Sequence, residues 1–156
     1  KLQRIVAKLV HKNALRELNA VLAEEGLELV AEGFEAEKDP SGRDWKPTLR
    51  GGSILRDTGR LARSFTRKVT TTGFRIGTNV LYAKTHQFGA VIVPTEVRAL
   101  RFRHYQNGQK KQGRWVFARE VTIPARPMLP EGGLSPRWQK ALSDAAHEVV
   151  IAWATK

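Results

Sequence analysis

Cysteine is absent from this 156-residue chain, and no hydrophobic run approaches the ~20 residues that a membrane-spanning helix requires. The absence of cysteine excludes a disulfide scaffold, a thiolate zinc site and a cysteine nucleophile, and it fits a reducing cytoplasm. Without a long apolar run or a signal-peptide core, the sequence predicts no membrane contact. Hydrophobic residues make up 41% of the chain, which favours one folded domain over residues 1–156 rather than a disordered chain.

Acidic residues are scarce, with 15 Asp and Glu against 27 Lys and Arg, so the formal net charge is +12. The two signs are segregated along the chain. Residues 24–39 carry seven acidic side chains and one lysine, residues 43–68 carry eight basic and two acidic ones, and residues 98–119 carry seven basic ones and no acid. A basic segment attracts phosphate backbones, keeps a surface solvated, or pairs with an acidic segment of a neighbouring copy. The charge pattern alone leaves all three interpretations open.

Hydrophobic periodicity predicts a helix near each end of the chain. Apolar residues recur at three- and four-residue spacing over residues 2–30, where Gly26 predicts a kink or break. Ser135 and Pro136 are typical of the first positions of a helix, and an apolar stripe follows them as far as Trp153. The sequence therefore predicts a long N-terminal helix and a C-terminal helix.

Between the helices the spacing of apolar residues shortens toward two, which is typical of β-strands. Short strands are predicted over residues 61–69, 74–78, 91–93, 97–104 and 114–121. Residues 98–119 then form a long basic hairpin that projects as an arm. Residues 48–57 are predicted to be an exposed loop, and residues 80–89 neither a strand nor an independent helix. The fold class is α+β: an antiparallel β-sheet with a long N-terminal helix, a C-terminal helix and an extended β-hairpin arm.

No residue pattern typical of catalysis or metal binding occurs. The four histidines, at positions 11, 86, 104 and 147, lack a second His, Asp or Glu at metal-ligand spacing. Ser64 has no nucleophile-elbow motif around it, and the glycines at positions 51, 52 and 59 match no phosphate-binding loop. The sequence predicts no enzyme, no metal and no cofactor.

Aromatic residues within the basic hairpin segment have two interpretations. They interleave with arginines, as in platforms for single-stranded nucleic acids, at Phe102, Tyr105, Trp115 and Phe117. Phe102, Trp115 and Phe117 also fit the inward faces of paired strands. We favour this second interpretation, in which the aromatic residues pack in the core.

Five short motifs, in this order, resemble the phage virion morphogenesis proteins, also called tail completion proteins, of Mu-like and related tailed phages. The motifs are Asp39-Pro40-Ser41-Gly42 followed by Trp45-Lys46-Pro47; Ile54-Leu55-Arg56-Asp57-Thr58-Gly59-Arg60-Leu61; Ile76-Gly77-Thr78-Asn79; Tyr82-Ala83-Lys84-Thr85-His86-Gln87-Phe88-Gly89; and Ile123-Pro124-Ala125-Arg126-Pro127-Met128-Leu129. One departure is Met128, where the family more often has phenylalanine, and this changes packing volume little.

The resemblance implies a structural virion protein at the head–tail junction, assembled in the host cytoplasm, with no cofactor or catalytic residue. Its implied partners are copies of itself in a ring, with a hexamer favoured, and the neighbouring connector and tail tube proteins. Structural roles are expected at Asp39, Pro40, Gly42, Trp45, Gly59, Tyr82, His86, Gln87, Gly89, Pro124, Arg126 and Pro127. The charge pattern predicts subunit or partner contacts at Glu28, Glu32, Glu35, Arg101, Arg103, Lys110, Lys111 and Arg114.

Among the structural residues, Arg126 stands between two prolines that hold a stiff extended stretch. Its guanidinium is expected to donate two hydrogen bonds to a carboxylate or carbonyl and to lock that crossing segment. Tyr82, His86 and Gln87 are expected to anchor the segment that crosses the sheet.

Two functions follow from the sequence. The first is a ring-forming tail completion or head–tail joining subunit, in which the basic hairpin contacts a neighbouring protein or, non-specifically, DNA in the channel. The alternative is a basic nucleic-acid-binding module that acts as a monomer or small oligomer through residues 98–119. The acidic segment favours the ring, because a nucleic-acid binder has no need of it.

Overall fold

The computed structural model describes residues 12–48, 52–104 and 114–155. In chain order these residues form α1 (Lys12–Ala36), a 3-10 helix (Ala62–Ser64), β1 (Phe65–Val69), β2 (Phe74–Thr78), α2 (Ala83–Phe88), β3 (Ala90–Ile92), β4 (Leu100–His104), β5 (Arg114–Ala118), β6 (Val121–Ile123) and α3 (Pro136–Thr155). The predicted α+β class is confirmed, with one long helix before the antiparallel strands in the chain and one after them. No helix within these residues has the length and apolar composition to span a membrane.

The two long helices pack on each other, and α1 also packs on the β1–β2 hairpin. α1 is continuous through Gly26, so the predicted break there is wrong. The glycine is buried, and a methyl group added to it would collide with the Ile76 side chain of β2. Gly26 therefore serves a close approach between helix and sheet, and packing offsets its low helix propensity.

The core lies where α1, α3 and the β1–β2 hairpin meet. Phe34 of α1 is almost fully buried, with its ring centroid 5.4 Å from that of Trp45 and 5.8 Å from that of Phe65. Ile54 is buried in the same cluster, and its N–H donates to the Glu37 carboxylate at 2.7 Å. The prediction of an exposed loop over residues 48–57 is therefore wrong at Ile54, because one apolar side chain anchors that loop to the core.

The strands pair antiparallel as three two-stranded sheets, β1–β2, β3–β6 and β4–β5. The strand predicted over residues 61–69 begins only at Phe65, because the preceding residues form the 3-10 helix. The strand predicted over residues 114–121 is interrupted after Ala118. Its first part pairs with β4, and the chain from Val121 pairs instead with β3. Because β6 pairs with β3, which is not its neighbour in the chain, the interruption has no local signal.

α2 occupies residues for which no regular structure is predicted. Six residues are too few for an isolated helix, but Ala83 and Gln87, one turn apart, are both buried. Gly89 ends the helix with φ +74°. Tertiary contacts of these residues, described next, stabilise the helix.

Candidate assembly interface

Many of the predicted structural residues meet at one junction, where residues 124–131 cross between α2 and the loop that follows α1. Arg126 lies at its centre, only 5% exposed. Its Nε donates to the Lys46 carbonyl at 2.7 Å and its Nη2 to the Pro47 carbonyl at 3.0 Å, while its backbone N–H donates to the His86 carbonyl at 2.6 Å. Burial lowers the pKa of Arg126, and the two carbonyls compensate part of the lost hydration.

Gln87 binds the same crossing segment from α2. Its Oε1 accepts hydrogen bonds from the N–H groups of Met128 at 2.9 Å and Leu129 at 3.1 Å. Its Nε2 donates to the Leu129 carbonyl at 2.8 Å and to the Glu131 carboxylate at 2.9 Å. All four hydrogen bonds available to the side-chain amide are therefore made, so Gln87 attaches the crossing segment much as a neighbouring strand would.

The loop after α1 is fixed by Asp39. Its Oδ1 accepts from the Ser41 N–H at 2.8 Å and the Arg43 N–H at 3.0 Å, and its Oδ2 accepts from Arg43 Nε at 2.7 Å. Burial alone would raise the pKa of Asp39, but these hydrogen bonds outweigh it and lower the pKa below its usual value. The Gly42 N–H closes the turn by donating to the Asp39 carbonyl at 2.9 Å.

This loop is in turn held to the crossing segment and to the start of α3. Trp45 Nε1 donates to the Pro127 carbonyl at 2.9 Å. Ser135 Oγ donates to the Pro40 carbonyl at 2.6 Å and accepts from the Trp138 N–H, as the predicted helix cap requires. The junction thus ties the ends of both long helices to one another.

The remaining predicted structural residues lie around this junction or apart from it. Tyr82 is 43% exposed, and its ring packs edge-on at 6.0 Å from that of His86. Pro124 is the first residue of the crossing segment. Gly59 lies apart, before the 3-10 helix, where its carbonyl accepts the Arg63 N–H. The side chains at the junction hold backbone segments in place. Among the described residues, no cluster of three or more His, Asp or Glu could bind a metal ion.

A second feature is a set of exposed apolar side chains within residues 81–117. Nine of the twelve exposed large hydrophobic side chains in the described ranges fall within residues 81–117: Leu81, Tyr82, Phe88, Val91, Ile92, Val93, Val97, Trp115 and Phe117. Leu81 is 95% exposed and Val91 61%. Single exposed apolar residues are normal on a monomer, and their concentration in one stretch of chain makes this stretch a candidate for protein binding. We call these nine residues the apolar surface.

The prediction that the hairpin aromatics pack in the core is wrong for two of them. Trp115 is 47% exposed and Phe117 67% exposed. Phe102 alternates with them and is half-buried. Strand alternation was visible in the sequence, but in a two-stranded sheet it does not show which face another element covers.

Five acidic residues of the two long helices, which pack on each other, also share one surface. Partial burial, and then the charges of Glu28, Glu32, Glu148 and Asp144, raise the pKa of Glu25. The first two neighbours come from α1 and the last two from α3. Counting charge by segment missed this surface, because residues 120–156 are neutral in sum. The signal available was the four-residue spacing of Asp144 and Glu148, which puts both on one helix face.

Part of the charge segregation is neutralised within one chain. Arg67 of the basic segment 43–68 lies 2.5 Å from Glu24, and Arg137 lies 2.6 Å from Glu32. Glu28 and Glu35 form no ion pair with another described residue.

The basic residues predicted as contacts lie on the β4–β5 hairpin or outside the described ranges. The guanidinium of Arg101 lies 4.6 Å from the centroid of the Trp115 ring. Arg103 is opposite Trp115 in the strand register, and Arg114 is exposed at the start of β5. Lys110, Lys111 and Tyr105 lie outside the described residues.

Comparison with known proteins adds one finding. The family model described as the phage virion morphogenesis family matches residues 1–150 of the 156. No curated protein and no solved structure gives a significant match. The match therefore covers the junction, the apolar surface and all five acidic residues of the α1–α3 surface.

Proposed function

Because this chain belongs to the phage virion morphogenesis family, we propose that it is a ring-forming subunit that completes the tail or joins it to the head at the neck of a tailed phage. Family membership gives the chain a structural role in building the virion. Beyond this, we propose that it lies at the head–tail junction, that it assembles into rings, and that it contacts connector and tail tube proteins.

The observation that carries this proposal is the apolar surface. A specific interface buries about 800 Å² on each partner, and each Å² of apolar area removed from water contributes about 25 cal/mol. Exposed ion pairs contribute only about 0–1 kcal/mol each. Side chains such as Leu81, Phe88 and Val91 can therefore supply more affinity than the segregated charges, which orient the partners.

A closed ring also needs two different surfaces on each subunit, because each copy contacts one neighbour with each of them. The chain presents the apolar surface on α2, β3 and β5 and the acidic surface on α1 and α3. This arrangement supports a head-to-tail contact better than a two-fold contact between identical patches.

The test is the mass of the full-length protein in solution, by native mass spectrometry and electron microscopy, alone and mixed with connector and tail tube proteins. Wild type should form discrete rings, alone or on these partners. The double variant Leu81→Ser/Phe88→Ser should stay folded, because both side chains are exposed, and should assemble poorly. Leu134→Ser, a matched change at a 45% exposed leucine outside the apolar surface, should assemble as wild type does. A wild type that stays monomeric with every partner would overturn the proposal.

Nucleic-acid binding is the second candidate, and the exposed Arg101–Trp115 pair is the observation in its favour. Nucleic-acid binding, however, gives no role to the exposed aliphatic side chains, such as Leu81 and Val91. Fluorescence anisotropy with single- and double-stranded oligonucleotides measures this candidate directly. Tight binding by a protein that never forms rings would favour it.

A further inference from the structure

The β4–β5 hairpin has one face made of arginine and aromatic side chains. Arg101 lies opposite Phe117 in the strand register. Its guanidinium stacks on Trp115, which lies two residues before Phe117 and therefore on the same face of β5. All three side chains are exposed. Arginine and aromatic residues are enriched where protein partners bind most strongly, since they combine large contact area with directional hydrogen bonding.

The hairpin is also strongly basic along its whole length. No acidic residue occurs from position 97 to position 119, and Arg98, Arg114 and Arg119 are exposed in addition to Arg101. β4 and β5 pack mainly on each other. The hairpin therefore lacks acidic groups of its own to balance these charges.

The α1–α3 surface has the opposite chemistry. Glu25 and Glu28 lie on α1 and Glu148 on α3, and these two helices pack on each other. Glu28 and Glu148 lie close enough to Glu25 to raise its pKa, and none of the three forms an ion pair with another described residue. The other two acidic groups there are already bound, Glu32 by Arg137 and Asp144 by Lys140. Three carboxylates thus remain to receive cations from outside the subunit.

Each helix also presents an exposed apolar side chain beside these carboxylates. Val21 is one turn before Glu25 on α1 and is 37% exposed, and Ile151 follows Glu148 by three residues on α3 and is 51% exposed. Residues three or four apart share a helix face. The surface therefore offers carboxylates to arginines and aliphatic groups to aromatic rings.

We propose that the Arg101–Trp115–Phe117 face of one copy docks on the α1–α3 acidic surface of the next copy. This inference rests on the proposed ring and names the surfaces that meet in it. Charge complementarity favours a second copy as the partner. A phosphate backbone would neutralise the hairpin but leave the three carboxylates without cations, whereas a second copy neutralises both surfaces. The contact is head-to-tail, as a closed ring requires.

A charge swap tests the contact. The hairpin variant Arg101→Glu/Arg114→Glu and the helix variant Glu28→Arg/Glu148→Arg should each weaken self-association about a hundredfold at low salt, roughly tenfold for each reversed pair. The chain that carries all four changes should regain most of the loss, because the attraction is restored with its signs exchanged. The matched control is Lys68→Glu/Arg75→Glu, which makes the same change in charge at two exposed residues facing each other on β1–β2. It should assemble as wild type does.

A covalent readout is independent of ring stability. Since the chain has no cysteine, copies with Phe117→Cys can be mixed with copies with Glu28→Cys and treated with a short bis-maleimide. A crosslinked heterodimer should form in the mixture and far less product in either variant alone. Circular dichroism and melting curves show whether each variant is folded.

The outcomes separate this contact from the ring itself. If wild type forms rings and the charge-reversed variants do so equally well, or if the four-residue swap fails to restore assembly, the hairpin contact is wrong and the ring stands. If reversing the hairpin removes only oligonucleotide binding, the hairpin serves nucleic acid. If wild type forms no ring with any partner, the proposed function fails and this contact fails with it.

Discussion

Arg126 is a buried cation at the centre of the junction, and its removal should be costly. Arg126→Ala leaves the Lys46 and Pro47 carbonyls without their donors, so we expect a loss of about 2–4 kcal/mol in the free energy of unfolding. Arg126→Lys should recover little of this, because an ammonium group cannot reproduce the guanidinium geometry. Urea denaturation measures both, with exposed Arg75→Ala as the control. A wild-type midpoint for Arg126→Ala would show that the junction does not depend on this residue.

Asp39 should make stability depend on acid pH. Its pKa is lowered in the folded protein, so its contribution is fully present above the unfolded value of 3.8 and is lost as pH falls through the lower folded value. Asp39→Asn should therefore be less stable than wild type by about 1–2 kcal/mol near neutral pH, and the gap should narrow below about pH 4. Because the other carboxyl groups titrate in both proteins, the difference isolates Asp39. A gap that is constant with pH would contradict the lowered pKa.

Gly89 should tolerate no side chain. Its φ is +74°, and a Cβ atom there would lie 2.9 Å from the Ala125 nitrogen and 3.0 Å from the Ile123 carbonyl oxygen, both backbone atoms. Gly89→Ala should cost about 3 kcal/mol or more, from strain and from displacement of the crossing segment. Gly132 has φ +70° with nothing near its Cβ position, so Gly132→Ala should show the strain alone, about 1 kcal/mol. Equal losses in the two variants would show that the close approach is unimportant.

At the scale of elements, local sequence patterns predicted the helices whose stability depends on local interactions. The start of α3 follows from Ser135 and Pro136, and the α1 pattern is long enough to show its helix. α2 could not be predicted, because Gln87 stabilises it through residues about forty positions away. The break predicted at Gly26 is wrong for the same reason: the space taken by Ile76 of β2 is not visible in the sequence around the glycine.

Residues 106–113, which join β4 to β5, should be dispensable for folding. Replacing residues 106–113 with a short Asn-Gly turn should leave the melting temperature nearly unchanged, because the strands pack mainly on each other. If residues 106–113 themselves contact a neighbouring protein, particles made with this variant should contain unjoined heads and tails, or rings that fall apart.

Electron microscopy and DNA-retention assays on these particles separate the alternatives. Normal joining with altered DNA retention or ejection would assign residues 106–113 to DNA. Normal particles with normal ejection would reduce residues 106–113 to a solubilising loop.

At the scale of the whole molecule, the sequence indicated the family and the junction residues, while the surfaces needed the fold. Motif order pointed to Arg126 and Gln87, although neither partner of Arg126 could be named, because the Lys46 and Pro47 carbonyls are about eighty residues away. The exposure of Leu81 and Phe117 and the joining of Glu25 with Glu148 depend on how elements pack. Composition alone could not show them.

The dependence of assembly on salt distinguishes the two functions for the intact protein. Salt screens the attraction between exposed charges but does not weaken apolar contacts. If apolar contacts supply most of the affinity of the ring, we expect self-association to fall by about tenfold or less between roughly 0.05 and 0.2 M salt. Binding through six to ten phosphate contacts would fall by about 10³–10⁵ over the same range. Sedimentation velocity of the full-length protein measures the first quantity and anisotropy with an oligonucleotide the second. Rings that dissociate with the steeper dependence would mean that charge, and not the apolar surface, holds the subunits together.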